Sequence, residues 1–392
     1  MPYADAVPEF TLHDADSHVM ETADFFRDFA DPDVRARMKP LEIGAVRPGE
    51  VHFIDQLRVK HGEADYKSRD EAELMTRKNW SATGSFLKQD RPRALDLLGF
   101  ASQLVFNTFG SGRFVALEHG DDVEFCYGVA RAHNRALADF CSVDRRLLAT
   151  GYVPLRDFSK ARAAAEEALR LGSKALLIPS ACPKGHSPSH VALDSVWAVA
   201  QEAGAPILFH VGGGGQLLDP NYFQNGLPPV PDFHGGAENF RSVDYMAIPY
   251  PVMQTLATLI LDGVLDRFPR LMFGVIEQGA SWVPGWMKLL DSALDAFRKN
   301  EERLQRLSLR PSEYVRRQVR VTPYPAEDVG WIAANSGPEI CLFSSDYPHV
   351  EGGRNPIKRF EASLAGASYD LRRRFYGASM AELMGPMLPA AP

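Results

Sequence analysis

Side chains of the kind that bind metal ions follow four short apolar runs of the chain. Asp16 and His18 lie in the segment HDADSH, His210 ends the run PILFH, Glu277 ends LMFGVIE, and Asp346 follows ICLFSS. In an extended strand, residues two apart point to the same side, so Asp16 and His18 are expected to project together. Two imidazoles with two or three carboxylates suit Zn²⁺ or a related ion such as Mn²⁺. The pattern therefore predicts a site for a divalent metal ion.

A polar group placed after several buried apolar residues needs a partner, because an isolated buried charge costs several kcal/mol. A metal ion supplies that partner and lowers the pKa of a bound water to about 7, and a nearby carboxylate can take the proton. Each residue taken alone also fits a structural role, such as a hydrogen-bonded core histidine or an aspartate that caps a helix. Asp14, one step of the pleat below Asp16, is predicted to be structural. The convergence of five groups on four strands favours the metal site.

The elements that must position these residues alternate between short β-type runs and longer segments with helical periodicity. Eight such strands, joined mostly by single helices, predict a (β/α)₈ barrel, since parallel strands need helical crossovers and a closed barrel has no edges. An open doubly wound sheet, with its site at a switch point, is the alternative. The predicted strands are Phe10–His18, Gln103–Asn107, Leu147–Val153, Lys174–Pro179, Pro206–Val211, Leu271–Glu277, Val319–Thr322 and Ile340–Ser345.

The helix after the third strand shows the signals on which the helix predictions rest. Asp157 or Ser159 can cap its start, small apolar residues recur on one face, and Gly172 ends it. Further helices are predicted at 121–140, 189–202, 252–266, 282–297, 326–334 and 369–377. Trp282 is expected to pack the start of its helix.

Two segments interrupt the alternation, at about 31–90 after the first strand and 212–250 after the fifth. The first is polar and charged, and the second is rich in Gly, Pro and Asn. In a barrel both lie on the face that carries the carboxyl ends of the strands, where substrates bind. We expect one domain over residues 1–392, in which these insertions form pocket walls or lids.

Composition argues against several classes of partner. The net charge of −7 gives no positive field that would attract nucleic acid or an anionic membrane. No apolar run has the length of a membrane span, and no signal-peptide pattern occurs, so a cytoplasmic protein is expected. The cysteines form no CxxC pair, which favours neither disulfides nor a thiolate zinc site; they are Cys126, Cys141, Cys182 and Cys341.

Four ordered motifs give the chain a resemblance to a known superfamily. They are Asp14-x-Asp16-x-His18, PILFHVG around His210, EQGASWVP starting at Glu277, and SSDYPH around Asp346. Together they resemble the amidohydrolase superfamily, and more narrowly its amidohydrolase-2 branch of metal-dependent hydrolases and aromatic-acid decarboxylases.

The resemblance implies a ligand set. Asp16-x-His18 takes the place of the usual His-x-His of the first strand, His210 matches the histidine of the fifth strand, and Asp346 matches the aspartate of the eighth. The fourth strand ends in Pro179-Ser180 without a lysine to bridge two metals. One divalent ion, Zn²⁺ before Mn²⁺, is therefore expected at Asp16, His18, His210 and Asp346.

One departure from the branch bears on the reaction. Its decarboxylases usually carry a catalytic histidine where this chain has Glu277. A carboxylate suits hydrolysis, with Glu277 as base or orienting residue and Asp346 as ligand and proton shuttle. Hydrolysis of a small, aromatic or carboxylated catabolic substrate is therefore predicted. Non-oxidative decarboxylation, with Asp346 protonating the ring carbon, is the alternative, and a barrel that only binds a small molecule is a third possibility. Relatives suggest a homodimer or higher homo-oligomer.

Other polar residues are weaker candidates. His349, His186 and His190 are predicted to bind substrate, and Lys184, Arg241 and Tyr245 are as readily exposed loop residues. The glycines at 212–215 are interpreted as a loop passing close to the metal rather than as a phosphate cradle, because no GxGxxG or GK[ST] pattern accompanies them.

The remaining enzyme classes lack support. The Asp14-x-Asp16 pair also fits the aspartyl phosphatases of the haloacid-dehalogenase type, but that assignment leaves the strand-end His210 unexplained. Neither a GxSxG elbow nor an HExxH helix occurs.

Overall fold

The computed structural model describes residues 2–43, 53–229 and 241–389. In these residues a single parallel sheet runs in sequence order, each strand pairing with the next along the chain. Its strands are β1 (His13–Val19), β2 (Ser102–Asn107), β3 (Leu147–Tyr152), β4 (Ala175–Leu177), β5 (Ile207–His210), β6 (Phe273–Ile276) and β7 (Val319–Val321). Consecutive parallel pairing with helical crossovers is the topology of a barrel, which confirms the predicted fold class.

The eighth predicted strand, Ile340–Ser345, closes the barrel without forming a regular strand. Its amino end lies against β7, where Val321 N donates to Ile340 O at 2.8 Å. Its carboxyl end lies against β1, where Ala15 N donates to Phe343 O at 3.1 Å. Regular pairing is reduced to two isolated bridges, Ser17 with Tyr347 and Val321 with Cys341. We call residues 340–347 the closing segment.

Helices surround the sheet and connect its strands. In chain order they are α1 (Pro32–Arg37), α2 (Phe53–Gly62), α3 (Ala64–Ser68), α4 (Asp70–Glu73), α5 (Arg91–Leu98), α6 (Ser111–His119), α7 (Val123–Cys141), α8 (Phe158–Leu171), α9 (Asp194–Ala203), α10 (Ser242–Ala247), α11 (Tyr250–Leu261), α12 (Val264–Arg267), α13 (Val283–Phe297), α14 (Glu302–Gln305), α15 (Pro311–Gln318), α16 (Val329–Ser336), α17 (Pro356–Ser363), α18 (Tyr369–Arg373) and α19 (Ser379–Met384).

The helix predictions hold with shifted ends. For α8, Asp157 is the cap, because its side chain accepts from Lys160 N at 2.9 Å, and Gly172 ends the helix at φ +107°. The helix predicted at 252–266 is two helices, α11 and α12, separated at Gly263, which adopts φ +77°. Trp282 precedes α13 and donates to Gly279 O at 2.8 Å, so it packs the helix start as predicted.

The core lies between the strands and the helices around them, and all residues of β2, β3, β5 and β6 are buried. The insertion after β1 packs Ile54, Leu57 and Phe86 around Met20 at the end of that strand. Residues 44–52 and 230–240 of the two insertions lie outside the described residues. Within the described ranges, no helix combines the length and apolar character that a bilayer span requires.

Candidate metal centre

The ligand-type residues meet at the carboxyl ends of the strands. Asp16 and His18 lie on β1, His210 is the last residue of β5, Glu277 follows β6, and Asp346 follows the buried part of the closing segment. All five side chains are buried. The strand-end positions read from the sequence are therefore brought to one mouth of the barrel.

A first group consists of Asp16, His18, His210 and Glu277, whose ligand atoms all lie within 4.8 Å of one another. Asp16 Oδ1 lies 3.2 Å from His18 Nε2 and 3.4 Å from His210 Nε2. Glu277 Oε2 lies 3.4 Å from His210 Nε2 and 3.9 Å from His18 Nε2. Two imidazole nitrogens and two carboxylates thus surround one point, as the ligands of a divalent ion do.

Asp346 belongs to a second, overlapping group, with His18, Glu277 and His349. Its Oδ1 lies 3.6 Å from His18 Nε2 and 2.9 Å from His349 Nδ1. The four ligands expected from the sequence therefore lie at the same mouth, divided between two groups that share His18 and Glu277. Glu277 belongs to both groups, whereas the sequence predicted it as a base or orienting residue outside the set of metal ligands.

Backbone carbonyls orient both imidazoles of the first group. His18 Nδ1 lies 3.1 Å from Asn107 O, and His210 Nδ1 lies 3.1 Å from Val211 O. A carbonyl accepts only, so each Nδ1 carries the proton and each Nε2 turns its lone pair toward the carboxylates. Burial, with repulsion from His349, lowers the pKa of His18 to about 4, so its ring is neutral at pH 7.

The short distances between imidazole nitrogens and carboxylate oxygens show whether the site suits a metal ion. Lone pairs and carboxylate oxygens at 3.2 to 3.9 Å repel one another unless a cation lies between them. Within the described residues, His18 Nε2 and both carboxylate oxygens of Asp346 are buried without a hydrogen bond. The site fits one divalent cation.

Backbone strain marks two of these residues. Glu277 adopts φ +54° and Asp346 adopts φ +51°, a region that residues with a side chain rarely occupy. Glu277 N donates to Thr322 Oγ1 at 2.8 Å, and Asp346 N donates to Asp16 O at 3.0 Å. Neighbouring strands therefore hold both left-handed turns in place.

A hydrogen-bond chain that the sequence did not reveal leads away from Asp346. His349 Nε2 lies 2.9 Å from Thr108 Oγ1, and that hydroxyl lies 2.9 Å from Val19 O. The hydroxyl has one proton, which it donates to the carbonyl, so it accepts from His349 Nε2. Beyond it, the buried Glu21 accepts from Thr108 N at 2.9 Å, and burial raises its pKa to about 7. Thr108 directly follows β2, and that strand-end position was the available signal.

Asp14 has the structural role predicted for it. Its Oδ1 accepts from Ser345 N at 2.8 Å, and its Oδ2 accepts from Ser345 Oγ at 2.6 Å and Gln103 Nε2 at 2.8 Å. Asp14 therefore ties β1 to β2 and to the closing segment directly below Asp346.

The loop histidines after β4 lie apart from this centre. His186 Nδ1 and Nε2 contact the carbonyls of Ser187 and Arg156, and the His190 side chain accepts from Ala192 N at 3.2 Å. Both rings pack on Phe158, 4.6 and 4.5 Å between centroids. Neither belongs to the metal-ligand groups of the described residues, so their predicted contact with substrate gains no support.

Three further side chains assigned to loops have ordinary partners. Lys184 pairs with Asp121 at 2.7 Å, and Arg241 pairs with Asp244 at 2.9 Å. The Tyr245 ring lies 5.0 Å from the ring of Tyr324. Tyr324, which the sequence analysis did not select, donates to the backbone oxygen of Glu277 at 2.9 Å.

The first insertion also reaches the centre. Asn79 N donates to Pro348 O at 2.9 Å, and the half-buried Lys78 donates to Gly353 O at 2.7 Å. Burial lowers the pKa of Lys78 to about 8, although the charges of Asp346 and Glu351 raise it. After β5, the glycine-rich turn packs closely, because a Cβ at Gly213 would lie 3.1 Å from His210 O.

Comparisons with known proteins agree with this geometry. A family model described as amidohydrolase matches residues 17–378. A search of curated proteins gave no match. Among solved structures, an amidohydrolase from Mycobacterium avium subsp. paratuberculosis is 23% identical with a TM-score of 0.71, and the match covers 96% of this chain and 99% of that one.

Two similar structures are decarboxylases. The 5-carboxyvanillate decarboxylase of Novosphingobium aromaticivorans, with bound manganese and 3-methoxy-4-hydroxy-5-nitrobenzoic acid, is 16% identical with a TM-score of 0.64, and the match covers 97% of this chain and 98% of that one. The 2,6-dihydroxybenzoate decarboxylase of Rhizobium is 14% identical with a TM-score of 0.61, covering 96% and 98%. At these identities the likeness concerns the fold.

Proposed function

The chain belongs to the amidohydrolase family, and from this premise we propose that it is a metal-dependent hydrolase of a small aromatic or carboxylated substrate. One divalent ion is proposed to be held by Asp16, His18, His210 and Asp346. The observation that carries the proposal is the pair of Nε2 lone pairs directed at buried carboxylates, an arrangement that a bound cation stabilises. Zn²⁺ is proposed before Mn²⁺ because two imidazoles and carboxylates suit it, and metal analysis of the purified protein decides between them.

When bound, such an ion lowers the pKa of a water and polarises a substrate carbonyl. Glu277 is proposed as the base that takes the proton of the attacking water, because its Oε2 lies beside both imidazoles. Asp346 is proposed to bind the ion, to receive that proton from Glu277, whose carboxylate lies within 4.8 Å of its own, and to pass it to the leaving group. His349, 2.9 Å from Asp346 Oδ1 and anchored by Thr108, orients that carboxylate and borders the substrate.

Pocket walls are proposed to come from the insertions of a single domain, as expected from the sequence. Contacts of Lys78 and Asn79 with the segment after Asp346 support this for the first insertion. A homo-oligomer and a cytoplasmic location remain predictions from the sequence.

Non-oxidative decarboxylation is the second candidate, and the Asp346–His349 pair favours it. In its imidazolium form His349, with Nδ1 2.9 Å from the carboxylate, can return a proton to it, so that Asp346 protonates the ring carbon as CO₂ leaves. The difference from the proposed hydrolysis is the fate of the atoms. Hydrolysis adds the elements of water to the substrate, whereas decarboxylation removes one carbon and two oxygens.

A screen of aromatic acids and lactones, read by mass spectrometry in H₂¹⁸O, distinguishes the two reactions. Incorporation of ¹⁸O into a ring-opened or cleaved product supports hydrolysis. Release of CO₂ with a product lighter by one carboxyl group contradicts hydrolysis and supports the second candidate. A chelator-treated sample and a His210→Asn variant are the controls, and both are expected to lack either activity.

A further inference from the structure

A cationic cavity lies beside the loop that follows His349. Its volume is about 710 Å³, and its charged lining consists of Lys78, Arg354, Lys358 and Arg359. No acidic side chain of the described residues lines it. The chain as a whole carries a net charge of −7, so this concentration of positive charge runs against the overall composition.

Three of these cations lack partners among the described residues, whereas many surface arginines of the chain are paired with acids. Arg310, for example, pairs with Asp291 at 3.2 Å and with Asp295 at 2.9 Å. Within the described ranges, the side chains of Arg354, Lys358 and Arg359 form neither ion pairs nor hydrogen bonds. Like charges that line one cavity repel one another, and an anion bound among them lowers that cost.

Helix α17 presents one face to the cavity. Asn355, Lys358, Arg359 and Ala362 line it, and their spacing of three, four and seven residues places them on one side of a helix. Asn355 is the N-cap, and its Oδ1 accepts from Lys358 N at 3.2 Å. The amino end of α17 therefore lies beside the basic side chains, with its first backbone N–H groups bonded to Tyr3 Oη and Asn355 Oδ1.

Lys78 brings a fourth cation from a distant part of the sequence. Its Nζ donates to Gly353 O at 2.7 Å, and a Cβ at Gly353 would lie 3.9 Å from Arg359 Cζ. The ammonium of the first insertion and the guanidinium of α17 thus approach the same residue.

We propose that this cavity is an anion site that binds the phosphate group of a small phosphorylated molecule, separate from the metal centre. Arginine forks and ammonium groups together match the several oxygens of a phosphate, and the volume exceeds what a lone phosphate fills. The site does not depend on the reaction proposed above.

The first test is calorimetric titration of the purified protein with inorganic phosphate and with glycerol phosphate at low ionic strength. We expect one site, with the monoester binding more tightly because it fills more of the cavity. A Lys358→Ala/Arg359→Ala double variant is expected to bind about 10- to 100-fold more weakly. An Arg298→Ala/Lys299→Ala double variant removes the same charge from the end of α13 and is expected to bind as the wild type does. Equal binding by wild type and the Lys358/Arg359 variant overturns the proposal.

Phosphate can also bind a metal ion, so a second arm separates the two sites. A His18→Asn/His210→Asn variant, checked by circular dichroism, is expected to retain phosphate binding. Loss of binding in this variant together with retention in the Lys358/Arg359 variant would place the anion at the metal centre and contradict the proposal. Malonate tests the ligand class, since binding of this dicarboxylate as tight as that of the monoester rules out selectivity for phosphate.

Discussion

The imidazoles of the candidate metal centre owe their orientation to two backbone oxygens. Asn107 O and Val211 O each accept from a ring Nδ1, at 3.1 Å in both cases. The hydrogen bond from Nδ1 fixes the tautomer of each ring before any ion binds, as the hydrogen-bond partners of metal-binding histidines commonly do. The proposed ligand side chains are therefore preorganised by backbone oxygens, which a residue of any type supplies.

The role of Glu277 is tested by substitution. Glu277→Gln is expected to lower kcat by about 10²- to 10⁴-fold while metal content stays stoichiometric, because the amide cannot accept the proton. His210→Asn is expected to lose the metal as well as the activity. Steady-state kinetics and elemental analysis of the purified variants measure both effects.

The control for the Glu277→Gln and His210→Asn variants is Glu302→Gln. Glu302 is exposed on α14, so this variant is expected to behave as the wild type. Full activity in Glu277→Gln would contradict the base assignment. Loss of metal from Glu277→Gln would make Glu277 a ligand instead.

A buried carboxyl away from the centre gives a pH-dependent prediction. Glu118 accepts from Leu155 N at 2.7 Å and from Tyr152 Oη at 3.0 Å, and burial raises its pKa to about 7. The folded protein thus holds this proton more tightly than the unfolded chain. The stability from this group is fully present below pH 4.5, the unfolded pKa, and is lost as the pH rises through about 7.

Urea unfolding between pH 4.5 and 8 checks this. The free energy of unfolding of the wild type relative to Glu118→Gln is expected to fall over that interval, by up to about 3 kcal/mol. Other buried carboxyls contribute equally to both proteins and cancel in the difference. A difference that stays constant with pH would show that Glu118 is ionised in the folded protein.

At the scale of elements, Asp14 and Ser345 reinforce the backbone hydrogen bonds that close the barrel. The closing segment makes isolated bridges to its neighbours, and Asp14 supplies the added bonds to Ser345 N and Oγ. Asp346 is the next residue, so its position follows from that anchor.

Ser345→Ala is expected to cost about 1–3 kcal/mol of unfolding free energy, because one acceptor position of the buried Asp14 loses its donor. It is also expected to lower activity through displacement of Asp346. Denaturant unfolding and kinetics measure the two effects. Ser336→Ala is the matched control, since that buried serine donates only to Ile332 O one helical turn away. Equal loss of activity in both variants would contradict the anchoring role.

Helix α8 gives a second test at this scale. Asp157→Ala is expected to destabilise the protein by about 1 kcal/mol, because Lys160 N loses its capping acceptor. Ser159→Ala is the comparison, since Ser159 only donates to Asp157 Oδ1 at 3.2 Å and caps no backbone group. Thermal unfolding of the two variants decides which residue caps, and a larger effect of Ser159→Ala would reverse the assignment.

For the whole molecule, a bound ion couples the site to global stability. The groups of the centre come from β1, β5, the end of β6 and the closing segment, so a cation bound there would link both halves of the barrel. Removal of the metal by a chelator is expected to lower the free energy of unfolding by about 3 kcal/mol when the free metal was at 100 times its Kd.

Calorimetry with and without chelator measures this shift, and re-addition of Zn²⁺ or Mn²⁺ is expected to restore it. In His210→Asn the chelator is expected to have no effect. A wild-type unfolding temperature that does not respond to chelator would contradict a resident metal ion.

Much of this protein was determined by its sequence alone. The alternation of apolar runs and helical segments predicted the barrel, because local periodicity reports which face of an element is buried. It also placed Asp16, His18, His210, Glu277 and Asp346 at strand ends, and parallel strands of one barrel bring such ends to one mouth.

Only the tertiary structure decided which groups approach one another there. It divided the ligands between two groups with Glu277 in both, anchored His349 on Thr108, and left His186 and His190 packed on Phe158. It also brought Lys78 to Gly353, 275 positions away. Long connections have no periodic pattern that shows which face packs inward. Their side chains find partners far along the chain, and local sequence patterns do not reveal those contacts.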